Sequence, residues 1–215
     1  MRIIMLGDGG HSKVIQSMIS RLQDYRIIAI LDDKYESIFT DAYILYGPIE
    51  TLKTIIDEEC RLVLAIGDNQ TRKQIAEALG LPLKQYATII DPSAVISKSC
   101  LIGHGTVIMP NTVLNANAVV GNHCIINSGA VIEHDSAVAH FSHISPNATL
   151  TGNVTIGEGV QVGAGATIIP GVEIGKWSII GAGSTLIRPL PSYCKAVGSP
   201  AKIIEESMKR RIEIV

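Results

Sequence analysis

The sequence has no excess of positive charge, no closely spaced cysteines and no long apolar run. Eighteen Lys and Arg against twenty Asp and Glu leave a net charge of -2. The basic residues are scattered, so there is no footprint for nucleic acid or for an anionic membrane surface. Cys60, Cys100, Cys124 and Cys194 show neither C-x-x-C spacing nor the density of a disulfide scaffold, which points to thiols in a reducing compartment. No apolar stretch approaches the roughly 20 residues that cross a bilayer. The opening residues MRIIMLGDGG pass from one Arg and a short apolar run into glycines, without a signal h-region. A cytoplasmic protein without membrane insertion is expected. What is present is 47% hydrophobic residues with 18% charge, ample for a packed core.

Two periods divide the chain. Up to about Leu81, short apolar runs alternate with amphipathic segments, as in βαβ units. Arg2 to Leu6, Arg26 to Leu31 and Arg61 to Ile66 read as buried parallel strands. The three-and-four spacing predicts helices over Ser12 to Leu22, Ile49 to Asp57 and Gln70 to Leu79. The segment LPLKQYATIIDPSA, with two prolines and no helical period, reads as a connection.

Beyond it, every sixth residue from Ile96 through Leu186 is Ile, Leu or Val, and two positions before each stands a residue no larger than valine. Chance would give such a run on the order of once in tens of thousands of trials. A period of six fits the hexapeptide parallel β-helix, in which three hexads make one coil of 18 residues. The aliphatic residues then point inward and the small ones fit the corners. Glycines 103, 121, 157, 163, 175 and 181 are expected where the backbone is strained. Cys100 and Cys124 fall on small-residue positions, which favours packing over reactivity.

The segment AVIEHDSAVAHFSHIS carries three of the six histidines, His134, His140 and His143. With the inward register at 132, 138 and 144, His134 and His143 lie outside the core. Imidazole titrates near neutrality and can act as a general base. A carboxylate beside it would fix its tautomer. Glu133 and Asp135 both flank His134, and simple strand alternation favours neither. Gly152 stacks one coil above His134, where its N–H could reach a developing oxyanion. His104 and His140 lie two coils apart, as two ligands do in the β-helix zinc carbonic anhydrases, but that family's pattern puts a third ligand five residues past His140, where this chain has Ser145, so a zinc site fails for want of ligands. No metal is expected.

At the other end, MLGDGGHSKV is a strand, a glycine turn and a helix start, which aims backbone N–H groups at a phosphate. Gly7, Gly9 and Gly10 allow close approach. Ser12 stands where the third glycine of a dinucleotide fingerprint belongs, which argues against NAD. Asp32 and Asp33 end the second strand, where carboxylates meet ribose or base. Gly67 and Asn69 end the third on the same side.

The hexads ending in GAGATIIPGVEIGKWSIIGAGSTLIRPLP and then VGSPAKII resemble the left-handed β-helix acyltransferases, and MLGDGGHSKVI, LDD, AIGDNQTRKQI and IEHDSAVAHFSHISPNA resemble, in that order, the sugar acetyltransferases grouped with sialic acid O-acetyltransferase and the bacillosamine-pathway UDP-sugar N-acetyltransferase. The resemblance runs almost from end to end. It implies a Rossmann-like parallel α/β domain over 1–85, a left-handed parallel β-helix over 86–190 and a tail over 191–215, the left hand being a family property. It implies acetyl-CoA as co-substrate, a UDP-amino sugar as acceptor and a homotrimer with sites between neighbouring prisms. Carried over by position, His134 is the general base and Asp135 its acidic support. His143, Gly152, Ala164 and Ala182 fall on the acetyl-CoA side, while Gly9, Gly10, His11, Asp32, Asp33 and Gly67 fall on the nucleotide sugar.

The expected reaction is direct acetyl transfer to the 4-amino group of a UDP sugar bound for a surface polysaccharide. O-acetylation of a sialic-acid-like sugar, a non-catalytic nucleotide-sugar binder and an NAD-linked oxidoreductase are the rivals. The tail ESMKRRIEIV predicts a short helix with no chemistry.

Overall fold

A computed structural model describes residues 1–206. The first apolar run, β1 (Arg2–Leu6), is buried from Ile3 to Leu6 because sheet neighbours flank it and helices cover it on both faces. It pairs in parallel with β2 (Arg26–Leu31) and β5 (Cys60–Leu64), and α1 (Gly10–Ile19) and α3 (Asn69–Leu79) follow β1 and β5. The sequence reading did not show β3 (Phe39–Asp41) and β4 (Ile44–Gly47), an antiparallel hairpin whose second strand lies parallel to β2. The helix expected over 49–57 is reduced to a single 3-10 turn and α2 (Leu52–Ile55). Sheet order is β3-β4-β2-β1-β5.

From Ile89 onward the chain winds as a left-handed parallel β-helix with three walls. Two-residue strands repeat every 18 residues, so Ile108, Ile126, Ile144, Val162 and Ile180 stack inside wall I. Leu114 to Leu186 line wall II in the same way and Val120 to Ile174 line wall III. Every position of the aliphatic register is buried except Ile96 and Ile102, half-buried in the first coil. The small corner residues do more than fit. Several that carry a hydroxyl or thiol donate it to a carbonyl of the next coil: Thr106 to Gly121 at 2.7 Å, Ser136 to Thr151 at 2.8 Å and Cys124 to Ala139 at 3.1 Å. These bonds satisfy carbonyls that the sharp corners leave out of the ladders.

The glycines expected at strained positions are needed for another reason. The left-handed corner residues include Gly105, Gly129 and Gly171 and, more often, Asn, Asp or an aromatic such as Asn117, Asp135 and Phe141. Gly163 by contrast sits so close under the next coil that a Cβ would lie 2.5 Å from the Ala182 nitrogen. The constraint at 163 is the spacing between coils rather than backbone dihedral.

The two parts share a core. Ile3, Met5, Ile15 and Met18 pack in one cluster with Ile89, Val107 and Met109 of wall I, and Ala87 N–H donates to the Leu62 carbonyl, so the chain leaves the first sheet as an extension of it. At the far end, Cys194–Gly198 adds to wall I in parallel, and Ala201–Glu206 folds back on it antiparallel. The helix expected over 206–215 lies outside the described residues apart from Glu206, which ends this hairpin.

Candidate active site

His134 and Asp135 form the corner between walls II and III. Asp135 has φ +60°, a left-handed conformation that turns its side chain back toward its neighbour. Asp135 Oδ2 lies 2.8 Å from His134 Nδ1, which resolves the choice that strand alternation left open against Glu133. Asn117, one coil below, donates from Nδ2 to the other carboxylate oxygen at 3.0 Å. The Asn117 and His134 hydrogen bonds hold the Asp135 carboxyl below its ordinary pKa, so it stays ionised. With Nδ1 facing the carboxylate, Nε2 carries the free lone pair. Gly152 covers the ring: a Cβ there would lie 2.7 Å from Cε1 and Nε2. Its own N–H meets no acceptor among the described residues. The arrangement is an outward-facing imidazole whose Nδ1 meets a carboxylate, with an unpaired backbone N–H above it among the described residues.

The expected nucleotide residues gather at the carboxyl ends of β1, β2 and β5. Gly9 caps α1 and Gly10 begins it; nothing stands within 4 Å of a Cβ at either, and the helix has no side-chain cap, so its first N–H groups are open to an anion. Asp32 is committed to the loop: Oδ2 accepts from the Asp8 N–H at 2.6 Å and Oδ1 from the Lys34 N–H at 3.0 Å. Asp33 is exposed. Asp8, Lys34 and Tyr35 were not picked out from the sequence. Burial pushes the Asp8 carboxyl up, but bonds from Lys34 and Tyr35, each 2.6 Å, outweigh it and hold it low.

His143 projects outward from wall I, but the first domain covers it. Its Nε2 lies 3.0 Å from Asn127 Nδ2. Burial, then the charge of Arg72, brings its pKa down to about 4. His11 is adjacent, also at about 4 for the same two reasons, with Nε2 buried and without a partner. Arg72, which the sequence reading passed over, is the centre of this junction and is 1% exposed. Its guanidinium donates to the carbonyls of Ile66, Gly67, His123 and Phe141 and to Asn69 Oδ1, at 2.8 to 3.2 Å. Asn69 in turn donates to the Gly159 carbonyl at 3.1 Å.

Ala164 and Ala182 stack on the corner between walls I and II. One chain therefore brings His11, Gly67 and His143 together, and separately His134, Asp135 and Gly152. It does not join the two groups, because the corner between walls II and III is the edge of the prism opposite wall I.

Two of the remaining histidines have local roles. His140 Nδ1 accepts the Asn122 N–H at 2.8 Å, and His123 stacks on Phe141 at 5.0 Å. Among the described residues no three His, Cys, Asp or Glu gather as a metal would require, and no helix is long and apolar enough to cross a membrane.

Residues 2–79 match the PglD N-terminal domain, and residues 153–188 match the bacterial transferase hexapeptide (six repeats). The UDP-N-acetylbacillosamine N-acetyltransferase of Bacillus subtilis (strain 168) is 46% identical over 106 residues, 48% of this chain and 49% of that protein, so the match spans about half of the curated relative's length. The acetyltransferase domain of PglB from Neisseria gonorrhoeae FA1090, solved also with acetyl coenzyme A, is 33% identical, with 94% of this chain and 99% of that one covered and a TM-score of 0.86. PerB from Caulobacter crescentus, solved with CoA and GDP-perosamine, is 33% identical over 95% of this chain and 98% of its own, with a TM-score of 0.87.

Proposed function

Because the chain belongs to the PglD-like family of hexapeptide-repeat acetyltransferases, we propose that it transfers acetyl from acetyl-CoA to the amino group of a nucleotide-activated sugar. The acceptor is a UDP-4-amino sugar on its way to a surface polysaccharide or glycan. Residues 1–85 hold the nucleotide, with the open α1 N-terminus and Gly9, Gly10 and His11 toward the phosphates, Asp33 toward ribose or base, and Asp32 and Gly67 shaping the loops. Residues 86–190 carry the transfer.

The observation that carries this reading is the imidazole of His134, anchored by Asp135 and roofed by Gly152 on an outer edge. The sugar amine attacks the thioester carbonyl carbon while His134 Nε2 takes its proton. Asp135 stabilises the imidazolium, and the Gly152 N–H receives the oxyanion. On collapse the C–S bond breaks, the proton passes to sulfur, and the products are the N-acetyl sugar and free CoA thiol. No acyl-enzyme is required.

Since His134 stands opposite wall I, the acetyl-CoA contacts of Ala164, Ala182 and His143 and the nucleotide loop come from a neighbouring copy, in a homotrimer. It works in the cytoplasm, in keeping with the thiols of Cys60, Cys100 and Cys124, which form no disulfide.

Thiol release from acetyl-CoA, measured against UDP- and GDP-linked 4-amino sugars and free sialic acid, tests the reading. Release with a nucleotide amino sugar is expected. Release with sialic acid alone would favour O-acetylation, and none with any acceptor would leave a binding protein. Gly152→Ala is expected to displace the ring it covers and lower kcat about 100-fold, with the melting temperature within a few degrees of wild type; kinetics beside a thermal melt check both.

A further inference from the structure

We propose that Asn117 is a positioning residue for the transfer reaction, its side-chain amide clamping the Asp135 carboxylate and through it the ring of His134. This rests on the reading of His134 as general base. Asn117 lies 18 residues before Asp135, directly beneath it on the corner between walls II and III, and its Nδ2 donates to Asp135 Oδ1 at 3.0 Å while Oδ2 faces His134 Nδ1 at 2.8 Å. The two carboxylate oxygens are thus divided: one is pinned to the coil below, which leaves the other aimed at the imidazole. Both partners are half exposed, with Asp135 52% and His134 62% accessible. An exposed carboxylate on a single-bond swivel needs a second anchor to hold one geometry against water.

Asn117 is itself fixed. Its backbone N–H donates to Ser99 Oγ at 2.9 Å, one coil lower again, and its φ of +62° is a conformation Asn tolerates. That conformation alone explains an asparagine, since Asn111, Asn147 and Asn153 occupy equivalent corners. What separates Asn117 from them is its side-chain bond to an acid that touches an imidazole. Gly171 stands in the same column at φ +73°, so glycine is compatible with this corner and the amide can be removed without strain.

The test is Asn117→Gly, alone and combined with Asp135→Asn. In the single variant kcat for thiol release falls about tenfold, KM for acetyl-CoA and for the sugar stays within twofold, and the melting temperature is preserved. Asn117→Asp, which keeps the shape but offers an acceptor in place of the donor, loses at least as much. In the Asp135→Asn background, Asn117→Gly costs nothing further, because the clamp then has no carboxylate to hold. Nitrogen NMR of the His134 ring gives a readout a purely structural role would not move: a single neutral tautomer in the wild type and a mixture in Asn117→Gly. An unchanged tautomer with wild-type kcat, or an equal loss in both backgrounds, overturns the inference. Activity lost in His134→Ala but untouched in Asn117→Gly would sink this inference alone. Activity retained by His134→Ala would sink the reading of the site and this inference with it.

Discussion

Replacing His134 by alanine is expected to lower kcat by about 10²- to 10⁴-fold, the usual worth of a general base. KM for both substrates should change little. The ring stands on an exposed corner and bonds the neighbouring Asp135, so its removal leaves the prism's aliphatic stack and the loop before α1 intact. An interaction made only as the proton leaves the amine appears in kcat rather than in binding. Steady-state thiol release measures this. A variant retaining more than about a tenth of wild-type kcat would show that the attacking amine needs no base at this position.

The second large effect is on stability. Arg72→Leu is expected to cost about 3–5 kcal/mol and to lower the melting temperature by roughly 10 °C. All five guanidinium N–H groups are engaged, four of them on backbone carbonyls drawn from both parts of the chain, and no carboxylate ion-pairs with the guanidinium among the described residues. Leucine would leave those carbonyls buried without donors. Arg72→Lys should recover less than half of the loss, because an ammonium has three donors and no fork.

The same junction predicts acid sensitivity. His11, His123 and His143 are each held at about 4, by burial first and by the Arg72 charge second. A folded-state pKa below the ordinary 6.5 means that the unfolded chain binds more protons between the two values. Stability should therefore be full above about pH 6.5 and decline as pH falls toward about 4. In Arg72→Leu the electrostatic share of the shift disappears while the burial share remains, so that decline becomes shallower. Melting temperatures at pH 7.5, 6 and 5 for both proteins check the sign.

Much of this molecule is legible without coordinates because its period is rigid. Once 18 residues make a coil, position in the sequence gives position on the prism, which is how Gly152 could be placed above His134. The same subtraction from Asp135 leads to Asn117, but nothing in the residue type distinguishes a clamp from the turn-forming asparagines around it. The pairing of His134 with Asp135 escaped an alternation rule that holds for strands and fails at a left-handed corner. Arg72 was invisible for a different reason: on an amphipathic helix an arginine reads as solvent-facing, and only the docking of α3 against wall I surrounds it with carbonyls. The β3–β4 hairpin turns through Ala42 and Tyr43 at positive φ, where glycine or asparagine would have signalled it. The glycines of the repeat were assigned to the right hexads for the wrong physical reason, since inter-coil spacing is a three-dimensional constraint.

The closing hairpin has one further consequence. A stack of parallel rungs ends in a row of evenly spaced, unpaired backbone groups that matches the first rung of any other copy, an invitation to end-to-end fibril growth. Reversing the last strand, Ala201–Glu206, replaces that row with the paired spacing of an antiparallel edge, which an incoming parallel rung does not fit. On wall I, a repeat that could in principle propagate without limit is thereby given a terminus.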